Sequence, residues 1–124
     1  MNLIVNNSSM VPIYEQIMEQ IKGRIVRGEL SFDAALPSVR ALSKELKISA
    51  LTVKKAYDAL EEEGLVRTVH GKGTYVAEAN RNLMREEQVK EVEAALEDAL
   101  RKGRLYGLTA EELQTMWEIL LEKD

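Results

Sequence analysis

Five cations, Arg40, Lys44, Lys47, Lys54 and Lys55, fall between Ser38 and Tyr57 against a single acid, Glu45. Side chains of this kind neutralise polyanions, and the phosphate backbone of duplex DNA is the polyanion that suits a short basic surface. Groups that could carry out catalysis are scarce. The chain has no cysteine and one histidine, His70, set in the stretch His70-Gly71-Lys72-Gly73 with no carboxylate beside it. Disulfides, thiolate metal sites and multi-histidine sites within one chain are thereby excluded. No nucleophile–base pair or phosphate-loop motif is evident. The expected activity is binding, with no catalytic residue, no metal and no cofactor.

For those cations to act together, short helices must present them. Val39, Leu42 and Leu46 recur at spacings of three and four, the stripe of one helix, and Val53, Ala56, Tyr57 and Leu60 repeat the pattern. Only Lys47, Ile48 and Ser49 separate the two, a turn short enough to set helices at a steep angle. Ser49 is placed to cap the second helix and Gly64 to close it in a left-handed conformation. With Val53 facing inward, Leu51, Lys54, Lys55 and Asp58 face outward. A hairpin follows, Leu65 to Val69 and Thr74 to Val76, with its tip at residues 70–73. Leu36 to Val76 therefore reads as a winged helix-turn-helix, whose second helix suits the major groove.

Ahead of this module, Leu3 and Val5 alternate like a short strand, and Asn6 to Ser9 read as a turn. Pro12 suits the first turn of a helix carrying Ile13, Ile17, Met18, Ile21 and Ile25 and ending near Gly28. Gly23 lies inside it, and close packing against another helix is one explanation. Residues 29–37 form a loop with Leu30, Phe32 and Leu36 tucked inward. After the hairpin, residues 80–102 form an amphipathic helix with Leu83, Val89, Val92, Leu96 and Leu100 between charged residues. Gly103 and Gly107 bracket a break. Thr109-Ala110-Glu111-Glu112 is a capping-box pattern opening a last helix with Leu113, Met116, Trp117, Leu120 and Leu121.

The fold class expected is mainly α with a small β-hairpin wing, as a winged helix-turn-helix (residues 1–77) followed by a two-helix C-terminal dimerisation hairpin (residues 78–124). Net charge is −4, but residues 1–77 carry ten Lys and Arg against nine Asp and Glu, while residues 78–124 carry seven against twelve. The acidity belongs to the tail, so the overall balance does not oppose DNA binding. No apolar run reaches membrane-spanning length and no secretory pattern opens the chain, so a cytoplasmic protein with no membrane contact is expected. A two-helix hairpin cannot bury both apolar faces alone. Val89, Val92, Leu96, Leu100, Leu113, Met116, Trp117 and Leu120 are therefore expected to meet a second copy in a homodimer, which would set two recognition helices on a palindromic site.

Several of these residues also form a recognisable pattern. Pro12-Ile13-Tyr14, Leu36-Pro37-Ser38 with Arg40, Thr52-Val53 with Ala56-Tyr57, Glu63-Gly64-Leu65 and Gly71-Lys72-Gly73-Thr74-Tyr75-Val76 together resemble the GntR family of bacterial transcription factors. The short tail is similar to that of the YtrA subfamily, in which two helices replace a large ligand-binding domain. The resemblance implies a transcription regulator, most simply a repressor, binding double-stranded DNA at a palindromic operator. An ABC-transporter operon is the implied target. Two positions depart from the pattern. Ala50 stands where Arg or another polar residue is usual, so the commonest base contact is missing, and Asp33 stands where Gly is usual.

The expected DNA-binding residues are Ser38, Arg40, Ser49, Ala50, Leu51, Thr52, Lys54, Lys55, Arg67, His70, Gly71 and Lys72. Lysines and arginines take phosphates, with Arg40 also a candidate for a guanine edge. Ala50 and Leu51 are candidates for thymine methyls, and the resemblance puts His70 and Gly71 at or beside the minor groove. A small-molecule effector, if one exists, has room only at the dimer interface or between tail and winged helix. The rival expectation is a winged-helix module that docks protein, without specific DNA binding. The acidic series Glu86, Glu87, Glu91, Glu93, Glu97 and Asp98 reads as a solvated helix face.

Overall fold

The computed structural model describes residues 1–78 and 81–123, the side chain of Arg81 excepted. Contacts divide the chain into two compact units, Met1–Arg81 and Asn82–Asp124. The boundary expected after residue 77 adjoins residues 79 and 80, which lie outside the described residues, as does the Asn80 expected to open the tail helix.

Three helices and a hairpin make the first unit: α1 (Ile13–Val26), α2 (Val39–Leu46), α3 (Ala50–Glu62), β1 (Val66–Val69) and β2 (Gly73–Val76). Its core is largely aliphatic. Ile17, Ile21 and Ile25 of α1, Leu42 of α2, and Val53, Ala56 and Leu60 of α3 are buried almost completely, as their three-and-four spacing requires. β1 and β2 pair antiparallel, Val66 opposite Val76 and Val69 opposite Gly73. The loop before α2 adds to the sheet edge: Leu36 N–H donates to Thr74 O at 2.9 Å and Val76 N–H to Ala34 O at 2.9 Å. This loop is thereby fixed against the wing. Pro12 stands at the N-cap of α1, one position before the first helical residue.

Some expectations about this unit need correction. Residues 3–5 form no strand. Glutamines on α1 supply backbone-like partners instead: Gln20 accepts from Ile4 N–H at 2.9 Å and donates to Ile4 O at 2.7 Å, and Gln16 accepts from Asn6 N–H at 2.8 Å. Leu36 is buried and Leu30 half-buried, but Phe32 is 57% exposed. The backbone bonds of the loop fix its path without needing that ring inside. At Gly23 an added methyl would meet the Arg27 side chain, not another helix.

The second unit is a helix pair, α4 (Arg81–Leu105) and α5 (Ala110–Glu122). The break expected to begin at Gly103 does not: Gly103 lies within α4, which runs on to Leu105, and it is buried. A methyl group built on it would sit 2.7 Å from Cδ2 of Leu113, so the bare glycine is what lets α5 seat there. Gly107, at φ 79°, makes the turn. Thr109 then forms the expected capping box, accepting from Glu112 N–H at 3.1 Å while its own N–H donates to Glu112 Oε1 at 3.2 Å. Among the described residues, no helix is long and apolar enough to cross a membrane.

Candidate nucleic-acid interface

Ser38 and Ser49 start the two helices of the basic face. Ser38 Oγ accepts from Ala41 N–H at 3.0 Å, and Ser49 Oγ accepts from Thr52 N–H at 3.3 Å. Each satisfies an orphan donor of a first helical turn. Lys47 closes α2 in the left-handed region at φ 57°, which turns the chain toward α3. Lys47 and Ser49 thus close one helix and open the next in the turn between Arg40 and Lys54.

Tyr57 locks that arrangement. Its ring is buried in the core, and its hydroxyl donates to Pro37 O at 2.8 Å, immediately before the α2 cap. Burial pushes the phenol well above its ordinary range, with the Glu45 charge adding to the effect. Tyr57→Phe is expected to cost about 1–2 kcal/mol through the lost bond and the unmet carbonyl. Because the folded-state pKa lies above the unfolded value of 10.0, the contribution of Tyr57 is present below that pH and lost as pH rises beyond it. Alkaline titration of thermal stability should therefore show a shallower decline in Tyr57→Phe than in the parent.

The cations differ in how they are held. Arg40, Lys44 and Lys47 are exposed, and no hydrogen bond or ion pair engages their charged groups among the described residues. Lys54 pairs with Asp58 one turn on, at 2.7 Å, and both are exposed. Lys55 lies over the Tyr14 ring, 4.1 Å from its centroid, a contact that holds the ammonium without neutralising it. The Tyr14 hydroxyl donates to Glu15 at 3.2 Å, and that carboxylate raises the phenol's pKa. Leu51 is 78% exposed and Ala50 is exposed beside it, while Thr52 is half-buried.

At the wing, Gly71 (φ 77°) and Gly73 (φ 134°) take conformations that side chains disfavour. His70 and Lys72 are exposed between and beside them. Arg67 is less free: it forms an ion pair with Asp33 and lies 5.6 Å from the Tyr75 ring centroid. Asp33 adopts φ 67°, the left-handed turn at which the sequence substitutes for glycine. The residue thus carries a backbone cost and an ionic gain together. Asp33→Gly removes both and should leave stability within about 1 kcal/mol of the parent; Asp33→Ala keeps the strain and loses the pair, and should be less stable than Asp33→Gly by about 1–2 kcal/mol in denaturant melts.

The expected DNA-binding residues thus lie on three elements of one unit: α2, α3 and the wing. Sequence reasoning missed the partners that hold them, Tyr14 under Lys55 and Asp33 under Arg67. Neither pair is marked by local spacing. In the tail, Val89, Val92, Leu96, Leu100, Met116, Trp117 and Leu120 are all exposed, with Trp117 at 43%, and Leu113 is half-buried against Gly103. Ile119 and Leu121 are exposed too. Beside them the α4–α5 cleft, about 330 Å³, is lined by Leu96, Leu100, Leu113 and Trp117.

A three-helix core with capped α2 and α3 and a glycine-tipped hairpin is the winged-helix architecture of transcription regulators. Residues 13–76 match the profile of the bacterial regulatory proteins of the gntR family. The chain belongs to that family. It is 33% identical, over 88% of its length and 84% of the relative's, to the HTH-type transcriptional repressor YtrA of Bacillus subtilis. Its fold matches a transcriptional antiterminator from Listeria monocytogenes with TM-score 0.72 and 29% identity, covering 97% of this chain and 90% of that one. It also matches the DNA-binding domain of AraR, solved in complex with operator ORX1, with TM-score 0.57 and 32% identity, over 62% of this chain and 99% of that one.

Proposed function

We propose that the protein is a homodimeric repressor that binds a palindromic operator through residues 38–76, with an ABC-transporter operon as its target. The observation that carries this reading is the α2–α3 face, where capped helices present Arg40, Lys54 and Lys55 to solvent around an exposed first turn. In this reading Arg40, Lys54, Lys55, Arg67 and Lys72 take phosphates, Ser38, Ser49 and Thr52 fix the helix starts against the backbone, and His70 and Gly71 approach the minor groove. Occupancy of the promoter, not chemistry, does the work.

Dimerisation belongs to the tail. Val89, Val92, Leu96 and Leu100 on α4, with Leu113, Met116, Trp117 and Leu120 on α5, make an apolar surface that a second copy would cover. A two-fold pair then sets two α3 helices one duplex turn apart, about 34–36 Å. An effector, where one operates, would act by shifting the populations of dimer geometries.

Footprinting the purified protein on its own upstream DNA at roughly 50 and 200 mM salt tests the reading. Six to ten phosphate contacts predict an affinity loss of about 10³–10⁵-fold between those conditions, over a protected site with two symmetric halves. Weak, salt-insensitive association without a footprint would favour a protein-docking module instead.

A further inference from the structure

The geometry points to Leu51, with Ala50 beside it, as the residue that sets operator specificity by reading the C5-methyl group of thymine. The inference rests on operator binding as proposed above and names what the leading turn of α3 recognises.

Leu51 departs from its neighbours. Leu42 and Leu60, on the same two helices, are fully buried, whereas Leu51 is 78% exposed at the second residue of α3. It shares the outward face with Lys54, Lys55 and Asp58, so whatever α3 enters meets Leu51 first. Three polar groups nearby already have partners within the chain. Ser49 Oγ is occupied by the Thr52 N–H it caps. Lys54 is drawn along the helix to Asp58, away from the first turn, and Lys55 is drawn to the Tyr14 ring on α1. The exposed side chains of the first turn itself are hydrocarbon, the Ala50 methyl and the Leu51 isobutyl group, with Thr52 half-buried.

In the major groove only thymine offers a methyl group; the other bases offer hydrogen-bond donors and acceptors. Leucine laid on a thymine methyl buries apolar surface on both sides. The same side chain over guanine or cytosine strips water from polar edges and supplies no partner. Discrimination therefore has an attractive part and a repulsive part, both from one side chain that makes no hydrogen bond.

The test begins with selection of preferred duplexes from a random pool by the full-length protein, followed by uracil substitution at each thymine in turn. Uracil lacks only the methyl group. At the step read by Leu51, substitution should weaken binding about four-fold per half-site and about fifteen-fold in both, the equivalent of one buried methylene each. Leu51→Ala, checked for fold by circular dichroism, should lose most of that response at the same step. Unchanged affinity at every uracil, or an equal uracil response in Leu51→Ala and the parent, overturns the inference while leaving salt-dependent operator binding in place. Failure to select any preferred duplex would instead strike the operator reading itself, and this inference with it.

Discussion

Arg40→Ala combined with Lys54→Ala is expected to lower operator affinity by about 10³-fold at 0.15 M salt, with no loss of thermal stability beyond about 1 kcal/mol. The size follows from counterion release. Two cations in each of two subunits are four phosphate contacts, and each contributes about 0.9 to the slope of log K against log salt. The slope should therefore flatten by about three to four units alongside the drop in affinity. Stability should hold because both side chains are exposed; Arg40 has no partner among the described residues and Lys54 has only the surface pair with Asp58. Fluorescence anisotropy across a salt series gives both quantities. An unaltered slope would mean that these cations do not face phosphate, and the α2–α3 face would lose its proposed role.

Placing charge on the apolar tail should have an effect of comparable size by another route. Leu96→Lys with Met116→Lys puts two ammonium groups on the surface proposed to meet the second copy. The expected result is a monomer in sedimentation velocity, with operator affinity reduced by about 10²–10⁴-fold, the range lost when two linked half-site contacts become independent. Both residues are about half exposed in one chain, at 45% and 50%, so the monomer's fold should tolerate them. Binding to an isolated half-site should change little, because the winged helix is untouched. Full-site affinity that survives in a proven monomer would remove the tail from the binding mechanism.

Much of the architecture was legible because its determinants are local. The caps at Ser49 and Thr109 and the positive φ at Gly64 each depend on residues within a few positions. The aliphatic stripes of α1, α2 and α3 announced the core by spacing alone. What spacing could not give were features set by distant groups. Residues 3–5 have strand-like alternation, but Ile4, and Asn6 just after them, pair with side-chain amides on α1, not with a second strand. Gly103 carries a helix-breaking type inside a helix, because Leu113 fills the place its side chain would take. Phe32 has the composition of a core residue and an exposed position, since backbone bonds already fix its loop. On the candidate interface, the cations were legible as a cluster; that Lys55 rests on Tyr14, and Arg67 on Asp33, was not.

The fit between Gly103 and Leu113 has an evolutionary corollary. Bulk gained at Gly103 must be met by a turned or smaller side chain at Leu113, or by a shift of the hairpin root. Across descendants of such a chain the two sites should be inherited as a matched set, small with large. A lineage that carries alanine at the first and still keeps leucine at the second would have had to turn that leucine or re-aim one helix against the other.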